Sequence, residues 1–213
     1  MQSRVITASV FAALLAVGCT TQEPKPMAAA KDDKPALMTG ASASMLANTC
    51  AGCHGTNGQS NGPATPTIAG MEADYLTEVM QAYKNDERVN TIMGRIAKGY
   101  SDEEIELMAN ALSKQSYMGM KQTSAGPKAQ MGKKLHDNYC EKCHENGGTS
   151  VEDTPLAGQW MPYLQVTILD YLNGHNNPEK KMTKAIEKMV AEHPNMTMAQ
   201  LAEDLSHYYA SQK

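Results

Sequence analysis

The sequence predicts an all-α fold made of two tandem helical domains, and three observations support this prediction. The motif Cys-x-x-Cys-His occurs from Cys50 to His54 and again 90 residues later, from Cys140 to His144. A fixed period of this kind is the signature of an internal repeat. Apolar residues recur at helical spacing in both halves, and no convincing alternating strand pattern is present. Further landmarks repeat at an offset of 88 residues: Ile68-Ala69-Gly70 with Leu156-Ala157-Gly158, Tyr75-Leu76 with Tyr163-Leu164, and Tyr83 with Tyr171.

The first 36 residues predict export and a flexible connection rather than a folded element. Arg4 precedes an uncharged, mainly apolar stretch over residues 5–18, which predicts that residues 1–18 form a signal peptide. The end of this stretch resembles a bacterial lipoprotein signal, which implies that Cys19 is lipidated. The alternative is ordinary cleavage that leaves Cys19 without a role. Residues 19–36 contain three prolines and many charges, and we expect them to form a flexible tether.

The N-terminal domain is predicted over residues 37–118. Met45 and Leu46 indicate a helix before the first cysteine pair, and residues 72–83 form a candidate middle helix. The stretch Ser101-Asp102-Glu103-Glu104 has the form of a capping box, in which serine and the glutamate three residues later satisfy backbone amides at a helix start. The apolar residues that follow it at helical spacing are Ile105, Met108, Ala109 and Leu112.

A linker is predicted over residues 119–127, because the stretch around it contains two glycines and a proline. The C-terminal domain is then predicted over residues 128–213. Its candidate middle helix covers residues 162–172 and opens with proline, which is favourable at a helix start. A second capping box begins at Thr197. The apolar residues of the first and last helices of this domain are Met131, Leu135 and Tyr139, and Leu201, Leu205, Tyr208 and Tyr209.

Composition limits the class of partner and the way in which the cores are filled. The chain carries a formal net charge of −4, which argues against nucleic acid as a partner. Four of the five cysteines lie in the two motifs, so apart from Cys19 none remains for a structural disulfide. Trp160 and Phe11 are single copies, and Phe11 lies in the predicted signal. With so few large side chains, we expect another group to fill the two cores. No stretch after the signal is apolar enough to span a bilayer.

The repeated motif predicts two covalently bound c-type haems. C-x-x-C-H is the attachment motif for haem c. Its two cysteines lie about one helical turn apart and can reach the two vinyl groups of one porphyrin, and the histidine then lies beneath the iron. The residues assigned to the thioether bonds are Cys50, Cys53, Cys140 and Cys143, and those assigned as proximal iron ligands are His54 and His144.

Two other chemistries use closely spaced cysteines, and the pattern disfavours both. A zinc ribbon would combine the two cysteine pairs on one metal ion, whereas here each pair has its own histidine and its own repeat. A thioredoxin-like redox pair belongs to a βαβ context, which the sequence does not indicate.

Position in the repeat selects two of the sixteen methionines as second axial ligands. Met93 lies 39 residues after His54, and Met182 lies 38 residues after His144, so both follow the middle helix and precede the last one. His175 is the second choice for the second iron. The other candidates are assigned elsewhere: Met71, Met80, Met108 and Met189 to the apolar core, and His136, His193 and His207 to the surface or to helices.

Two further residues are candidates for contacts with haem. Arg95 follows Met93 closely and could pair with a propionate, and the alternative is an ordinary exposed arginine. Trp160 could direct its indole N–H toward a propionate while it packs against the second haem, and the alternative is simple core packing.

Histidine and methionine on each iron imply electron transfer rather than bond chemistry. Thioether sulfur favours Fe(II) and raises the reduction potential relative to bis-histidine iron. Both axial positions of each iron would be filled, so no open site for a substrate and no catalytic residue is expected in this chain. A second haem would let electrons enter at one domain and leave at the other.

Longer stretches carry a resemblance to a known family. "TIMGRIAKGYSDEEIELMA", "GKKLHDNYCEKCHENGG" and "LAGQWMPYLQ" are similar to the di-haem cytochrome subunit of flavocytochrome c sulfide dehydrogenase. The resemblance implies two class I-type cytochrome c domains, the axial ligands Met93 and Met182, and a location in the periplasm. It also implies an FAD-containing partner subunit that oxidises sulfide and releases its electrons one at a time.

A free-standing carrier is the competing hypothesis. A lipid-tethered di-haem cytochrome could pass electrons from a quinol-oxidising complex to a terminal oxidase or reductase. The predicted anchor and tether favour this hypothesis, because a subunit held by its flavoprotein would need neither. "AGQWMPYLQ" is shared more widely with two-domain respiratory cytochromes and separates the two hypotheses poorly. Electron storage without a dedicated partner is a third possibility.

Overall fold

The computed structural model describes residues 40–150, 154–176 and 180–212, and the regular structure in these ranges is helical. The predicted signal peptide, Cys19 and the tether lie outside the described residues. The first half contains α1 (Ala43–Asn48), α2 (Ala51–His54), a 3₁₀ turn (Thr56–Gly58), α3 (Ala73–Lys84), α4 (Met93–Ala97) and α5 (Asp102–Ser113). The second half contains α6 (Gly126–Tyr139), α7 (Glu145–Gly148), α8 (Met161–Leu172), α9 (Lys180–Glu192) and α10 (Met198–Ala210). The predicted all-α fold is confirmed, and none of the helices in these ranges is long and apolar enough to cross a membrane.

Both predicted capping boxes are present. Ser101 Oγ accepts the N–H of Glu104 at 3.2 Å, and the Glu104 carboxylate accepts the N–H of Ser101 at 2.9 Å. Thr197 and Gln200 make the same reciprocal pair at 3.2 and 2.8 Å. Each box satisfies two backbone donors that a helix start would otherwise leave without a partner. This is why α5 and α10 begin where the sequence predicts.

α5 is the central helix of the first half, because it packs against both α1 and α3. Ile105 and Met108 are buried with Leu46 of α1. The next turn of the same stripe, Ala109 and Leu112, is buried with two residues from the region of α3, Met71 and Leu76. The apolar stripe predicted from the sequence therefore faces two helices at once.

The second half has a larger core, built on the close pair α6 and α10. Gly132 lies where these helices approach each other, and a Cβ atom at this position would overlap the backbone carbonyl oxygen of Asp204. The absence of a side chain here is what allows the two helices to approach so closely. The buried members of this core are Leu135, Leu164, Leu172, Met189, Leu201, Ala202, Leu205, Tyr208 and Tyr209.

The structure shows where the methionines and histidines that were not chosen as iron ligands lie. Three of the methionines assigned to the core are indeed buried: Met71, Met108 and Met189. His136 lies in a helix, but the surface placement considered for it is wrong, because its ring is 0 % exposed. Tyr209 and Glu141 supply hydrogen-bond partners to its two ring nitrogens, and a polar ring that is satisfied in this way can be buried.

Gln159 joins the two halves through a reciprocal pair of hydrogen bonds to the backbone of Thr67. Its side-chain oxygen accepts the N–H of Thr67 at 2.9 Å, and its side-chain N–H donates to the carbonyl oxygen of Thr67 at 2.8 Å. Both residues are 1 % exposed. Beside this pair, Trp160 Nε1–H donates to the carbonyl oxygen of Ser60 at 3.3 Å, and the indole ring covers Gly62 so closely that a Cβ there would overlap it.

A second set of contacts between the halves centres on Arg88. Its guanidinium carbon lies 5.6 Å from the ring centroids of both Tyr83, in the first half, and Tyr171, in the second. Arg88 Nη1–H also donates to the Tyr171 hydroxyl at 3.2 Å, and the Val89 N–H donates to the side chain of Asn176 at 3.3 Å. A cation between two aromatic rings stabilises an interface at partly buried sites. The two halves are thus joined at two separate places.

The segment between α5 and α6 is held against both halves by hydrogen bonds. Gln59 exchanges two hydrogen bonds with the backbone of Met118, at 3.1 and 2.5 Å. Gln122 donates to the carbonyl oxygen of Gln159 and accepts the N–H of Met161, both at 2.8 Å. α6 begins at Gly126, inside the stretch predicted as the linker.

Replacing Gln159 by leucine is expected to lower the free energy of unfolding by about 2 kcal/mol or more, because the buried N–H and carbonyl of Thr67 would each lose their partner. Urea unfolding of the haem-loaded protein, followed by far-ultraviolet circular dichroism, measures this change. Gln130→Leu, at an exposed position on α6, is the matched control and should change stability by less than about 0.5 kcal/mol. Equal stability of the two variants would contradict the role given to Gln159.

Candidate haem sites

The first motif forms a single helical turn that brings its two cysteines and its histidine together. The backbone N–H groups of Cys53 and His54 both donate to the carbonyl oxygen of Cys50, at 3.2 and 2.9 Å. Neither Cys50 nor Cys53 forms a disulfide, and the Cys53 side chain is exposed. Two thiols on one turn, one of them at the surface, are suited to covalent attachment of one planar group.

His54 is prepared to bind a metal through one specific nitrogen. The side chain is buried, and Nδ1–H donates to the carbonyl oxygen of Pro66 at 2.8 Å. A carbonyl can only accept, so the proton is on Nδ1 and the lone pair is on Nε2. Burial lowers the pKa of His54, and the bond to Pro66 opposes this effect only in part. The neutral imidazole, oriented by a backbone carbonyl, is the form that ligates iron.

The second motif repeats this turn. The N–H groups of Cys143 and His144 donate to the carbonyl oxygen of Cys140 at 3.1 and 2.9 Å, and Cys143 is exposed. Burial raises the pKa of the Cys140 thiol to about 11, although a hydrogen bond with Tyr209 opposes the shift. Burial also raises the pKa of Cys50. In each motif, burial therefore disfavours the thiolate form of the first cysteine.

The donor groups in each half fit a covalent haem. In the described ranges no group of three or more His, Cys, Asp or Glu side chains could hold a metal ion, so the ligand cluster typical of a zinc ribbon is absent there. What each half offers instead is one histidine and two neighbouring thiols. These are the proximal ligand and the thioether sulfurs that haem c requires.

Met93 is the first residue of α4 and is half-buried. The turn before it is held by Asn90, whose side chain accepts the N–H of Gly94 at 2.8 Å and donates to the carbonyl oxygen of Arg88 at 2.9 Å. Ile92 and Ile96 flank the methionine with large apolar side chains that protein atoms leave exposed. Exposed apolar side chains this close to Met93 in the chain are suited to packing against a porphyrin face.

Met182 is half-buried in the first turn of α9, a helix whose most buried residue is Met189. His175, the second choice for this iron, is exposed, and its Nδ1 atom lies 3.6 Å from Oδ1 of Asp170. The assignment of Met93 and Met182 as iron ligands stays a prediction, as does the assignment of the two histidines and four cysteines to haem.

The two candidates for propionate contacts lie in different surroundings. Arg95 is exposed on α4. Trp160 lies at the interface of the two halves, where its indole N–H bonds to Ser60, as described above. The predicted haem contacts of both residues stay predictions.

One group of polar residues around the second motif was missed by sequence reasoning. His136, Glu141 and Tyr209 form a connected hydrogen-bond network next to Cys140. A comparison of the two repeats could have pointed to this network, because the polar residues have apolar counterparts in the first half. Leu46 and Ala51 occupy the positions in the first half that His136 and Glu141 occupy in the second.

Comparison with known proteins places this geometry in a family. The family profile described as Cytochrome c matches residues 40–116. The cytochrome subunit of sulfide dehydrogenase from Chlorobaculum tepidum is 44% identical over 78 residues, which are 36% of this chain and 70% of that protein. The thiosulfate dehydrogenase electron acceptor of Stutzerimonas stutzeri is 28% identical over 170 residues, 73% of this chain and 79% of that protein.

Solved structures agree on the fold over both halves. Reduced recombinant cytochrome c4 from Pseudomonas stutzeri superimposes on this chain with a TM-score of 0.67 at 22% identity. The match covers 80% of this chain and 97% of the cytochrome c4 chain. Cytochrome c4 from Acidithiobacillus ferrooxidans gives a TM-score of 0.61 at 24% identity, with 77% and 99% covered. The prediction of two tandem cytochrome c-like domains is therefore confirmed. The chain belongs to the cytochrome c family, and its function is electron transfer by covalently bound haem c.

Proposed function

We propose that this chain is a periplasmic di-haem cytochrome that accepts single electrons from an FAD-containing sulfide dehydrogenase subunit. The observation that carries the proposal is the 44% identity, over 78 residues of this chain, to the cytochrome subunit of sulfide dehydrogenase from Chlorobaculum tepidum. The second cysteine-histidine turn, built like the first, supports a second haem.

Each haem would be held by four residues of its own domain. The two cysteines form the thioether bonds, the histidine is the proximal ligand and the methionine is the second axial ligand. The first set is Cys50, Cys53, His54 and Met93, and the second set is Cys140, Cys143, His144 and Met182. When bound, haem supplies one-electron exchange between Fe(III) and Fe(II).

The chain's own residues define how such electrons could move. Pro66 fixes the orientation of His54, so this imidazole is already positioned for the iron that it would hold. Gln159 and Arg88 join the two domains at separate places, so the domains hold a constant separation and orientation. A constant arrangement favours transfer from one haem to the other within one molecule. With both axial positions filled on each iron, no substrate-converting site is expected in this chain.

Export and anchoring complete the proposal. A signal peptide over residues 1–18 would deliver the chain to the periplasm, where haem c is attached. A lipid on Cys19, followed by the tether, would hold the two domains near the membrane surface. Mass spectrometry of the purified mature protein tests this part: a diacylglyceryl group on an N-terminal Cys19 supports it, and a different N-terminus contradicts it.

A second candidate is a free-standing carrier between a quinol-oxidising complex and a terminal oxidase or reductase. The match to the sulfide dehydrogenase subunit covers 36% of this chain, whereas the cytochrome c4 structures cover 77% and 80% of it. The predicted lipid anchor also suits a carrier that must stay near membrane enzymes.

Reduction by sulfide separates the two candidates. The haem-loaded chain is mixed with the FAD-containing subunit of a sulfide dehydrogenase, and haem absorbance is recorded after sulfide is added. We expect rapid reduction that needs both sulfide and the flavoprotein, with two haems per chain in a pyridine haemochrome assay. The control omits the flavoprotein. One haem per chain would overturn the di-haem proposal, and haem reduction only by a quinol-oxidising complex would favour the carrier.

A further inference from the structure

The second motif differs from the first by a hydrogen-bond network centred on Glu141. This residue directly follows Cys140, and its carboxylate accepts the N–H of Asn146 at 2.9 Å and that of Gly147 at 3.1 Å. His136 Nε2–H donates to the same carboxylate at 2.5 Å. The bond from Gly147, and then the one from His136, lower the pKa of the Glu141 carboxyl. A carboxylate with several N–H donors keeps its negative charge.

The network fixes the position of that charge. The His136 ring is fully buried, its Nδ1 lies 3.0 Å from the Tyr209 hydroxyl, and its centroid lies 5.1 Å from that of Tyr208. Tyr209 in turn shares a hydrogen bond with Cys140. The carboxylate of Glu141 is therefore connected to α6, to α10 and to a cysteine of the motif itself.

The first motif has the same backbone turn without this network. At an offset of 90 residues, Ala51 replaces Glu141 and Leu46 replaces His136, so neither a charge nor a polar partner is present. The left-handed residue pairs that follow the two motifs nevertheless correspond: Asn57 and Gly58 in the first, Gly147 and Gly148 in the second. The hydrogen-bonded turn thus forms without a carboxylate. The network adds a fixed charge, together with a left-handed backbone at Asn146 that its counterpart Thr56 does not share.

We propose that Glu141, held by His136, lowers the reduction potential of the haem that the second motif binds. This inference rests on the proposed function, because it takes His144 and the two flanking cysteines as a haem site. Ferric haem carries one positive charge more than ferrous haem, so a carboxylate held in place on the residue that follows Cys140 would stabilise the ferric form. The Glu141 side chain is 43% exposed, and solvent therefore screens part of this effect.

Glu141→Gln tests the inference, because glutamine keeps the size and one acceptor but removes the charge. The potentials of both haems are measured by spectroelectrochemical titration, and Met182→Ala identifies which step belongs to the second haem. We expect Glu141→Gln to shift the Fe(III)/Fe(II) equilibrium of the second haem about tenfold toward Fe(II), which is about 59 mV for one electron, and to leave the first haem unchanged. Glu145→Gln, which removes an exposed carboxylate from the same loop, is the matched control and should shift the potential less than half as far.

Ala51→Glu is the reciprocal variant and serves where Glu141→Gln fails to retain haem. It places a carboxylate at the corresponding position of the first motif, so the potential of the first haem should fall while that of the second stays constant. A second haem that moves no further in Glu141→Gln than in Glu145→Gln overturns the inference, as does an unmoved first haem in Ala51→Glu. A wild-type chain that titrates in a single one-haem step contradicts the di-haem proposal instead, so the two failures are distinguishable.

Discussion

Met93→Ala is expected to lower the reduction potential of the first haem and to leave its iron with an open axial position. A thioether sulfur stabilises Fe(II), so its loss favours Fe(III). We expect a shift in the Fe(III)/Fe(II) equilibrium well beyond tenfold, which is more than about 59 mV for one electron. Spectroelectrochemical titration measures the shift, and carbon monoxide binding to the reduced protein reports the open position.

The other methionines provide the controls for this experiment. Met45→Ala removes an exposed thioether from α1 and should change neither potential. Met182→Ala should have the converse effect, with a lower potential and carbon monoxide binding at the second haem alone. Unaltered spectra and potentials in Met93→Ala would refute the ligand assignment. A second haem that is affected only when His175 is replaced would transfer the role of Met182 to that residue.

Gly132→Ala is expected to destabilise the second domain by about 3 kcal/mol, although alanine favours a helix by about 1 kcal/mol over glycine. The added methyl group would overlap the backbone carbonyl oxygen of Asp204 and crowd the side chain of Tyr208. Because the first of these atoms belongs to the backbone of α10, the two helices would have to separate. Thermal and urea unfolding of the haem-loaded protein measure the loss.

Helix propensity and steric overlap predict opposite changes in stability for Gly132→Ala, so the sign of the measured change distinguishes them. Gln130→Ala, at an exposed position on the same helix, introduces alanine where no neighbour opposes it and should change stability by less than about 0.5 kcal/mol. If Gly132→Ala left the protein as stable as wild type or stabilised it, the close approach of α6 and α10 would not be rigid. The potential of the second haem should move as well, since α10 carries Tyr209.

Local patterns in the sequence were sufficient for the helices and for both motifs. The capping boxes at Ser101 and Thr197 place their partners three residues apart, and in each motif the histidine follows the first cysteine by four residues. Interactions within one helical turn obey spacing rules that hold wherever the chain forms a helix. For the same reason the buried stripe of α5 was correctly predicted from its period.

Burial of polar residues was harder to predict. His136 was expected at the surface or in a helix, and it is fully buried in α6 because Tyr209 and Glu141 satisfy both nitrogens of its ring. The bond from the Trp160 N–H to Ser60 of the other domain was likewise not predicted, and the haem contact considered for this residue stays a prediction. A residue's own position in a helix does not indicate which distant groups will meet it.

The repeat of C-x-x-C-H in two helical halves could be recognised from the amino-acid order alone, because each motif is complete within five consecutive residues. Only the folded chain joins Gln159 to Thr67, Arg88 to Tyr171, and Glu141 to His136 and through it to Tyr209. Most of these partners lie about 70 to 90 residues apart in the chain, and neither helical spacing nor the repeat of 88 to 90 residues indicates that they are in contact. They meet because the packing of α3, α6, α8 and α10 brings them together, and the connection between the two domains and the difference between the two motifs follow from that packing.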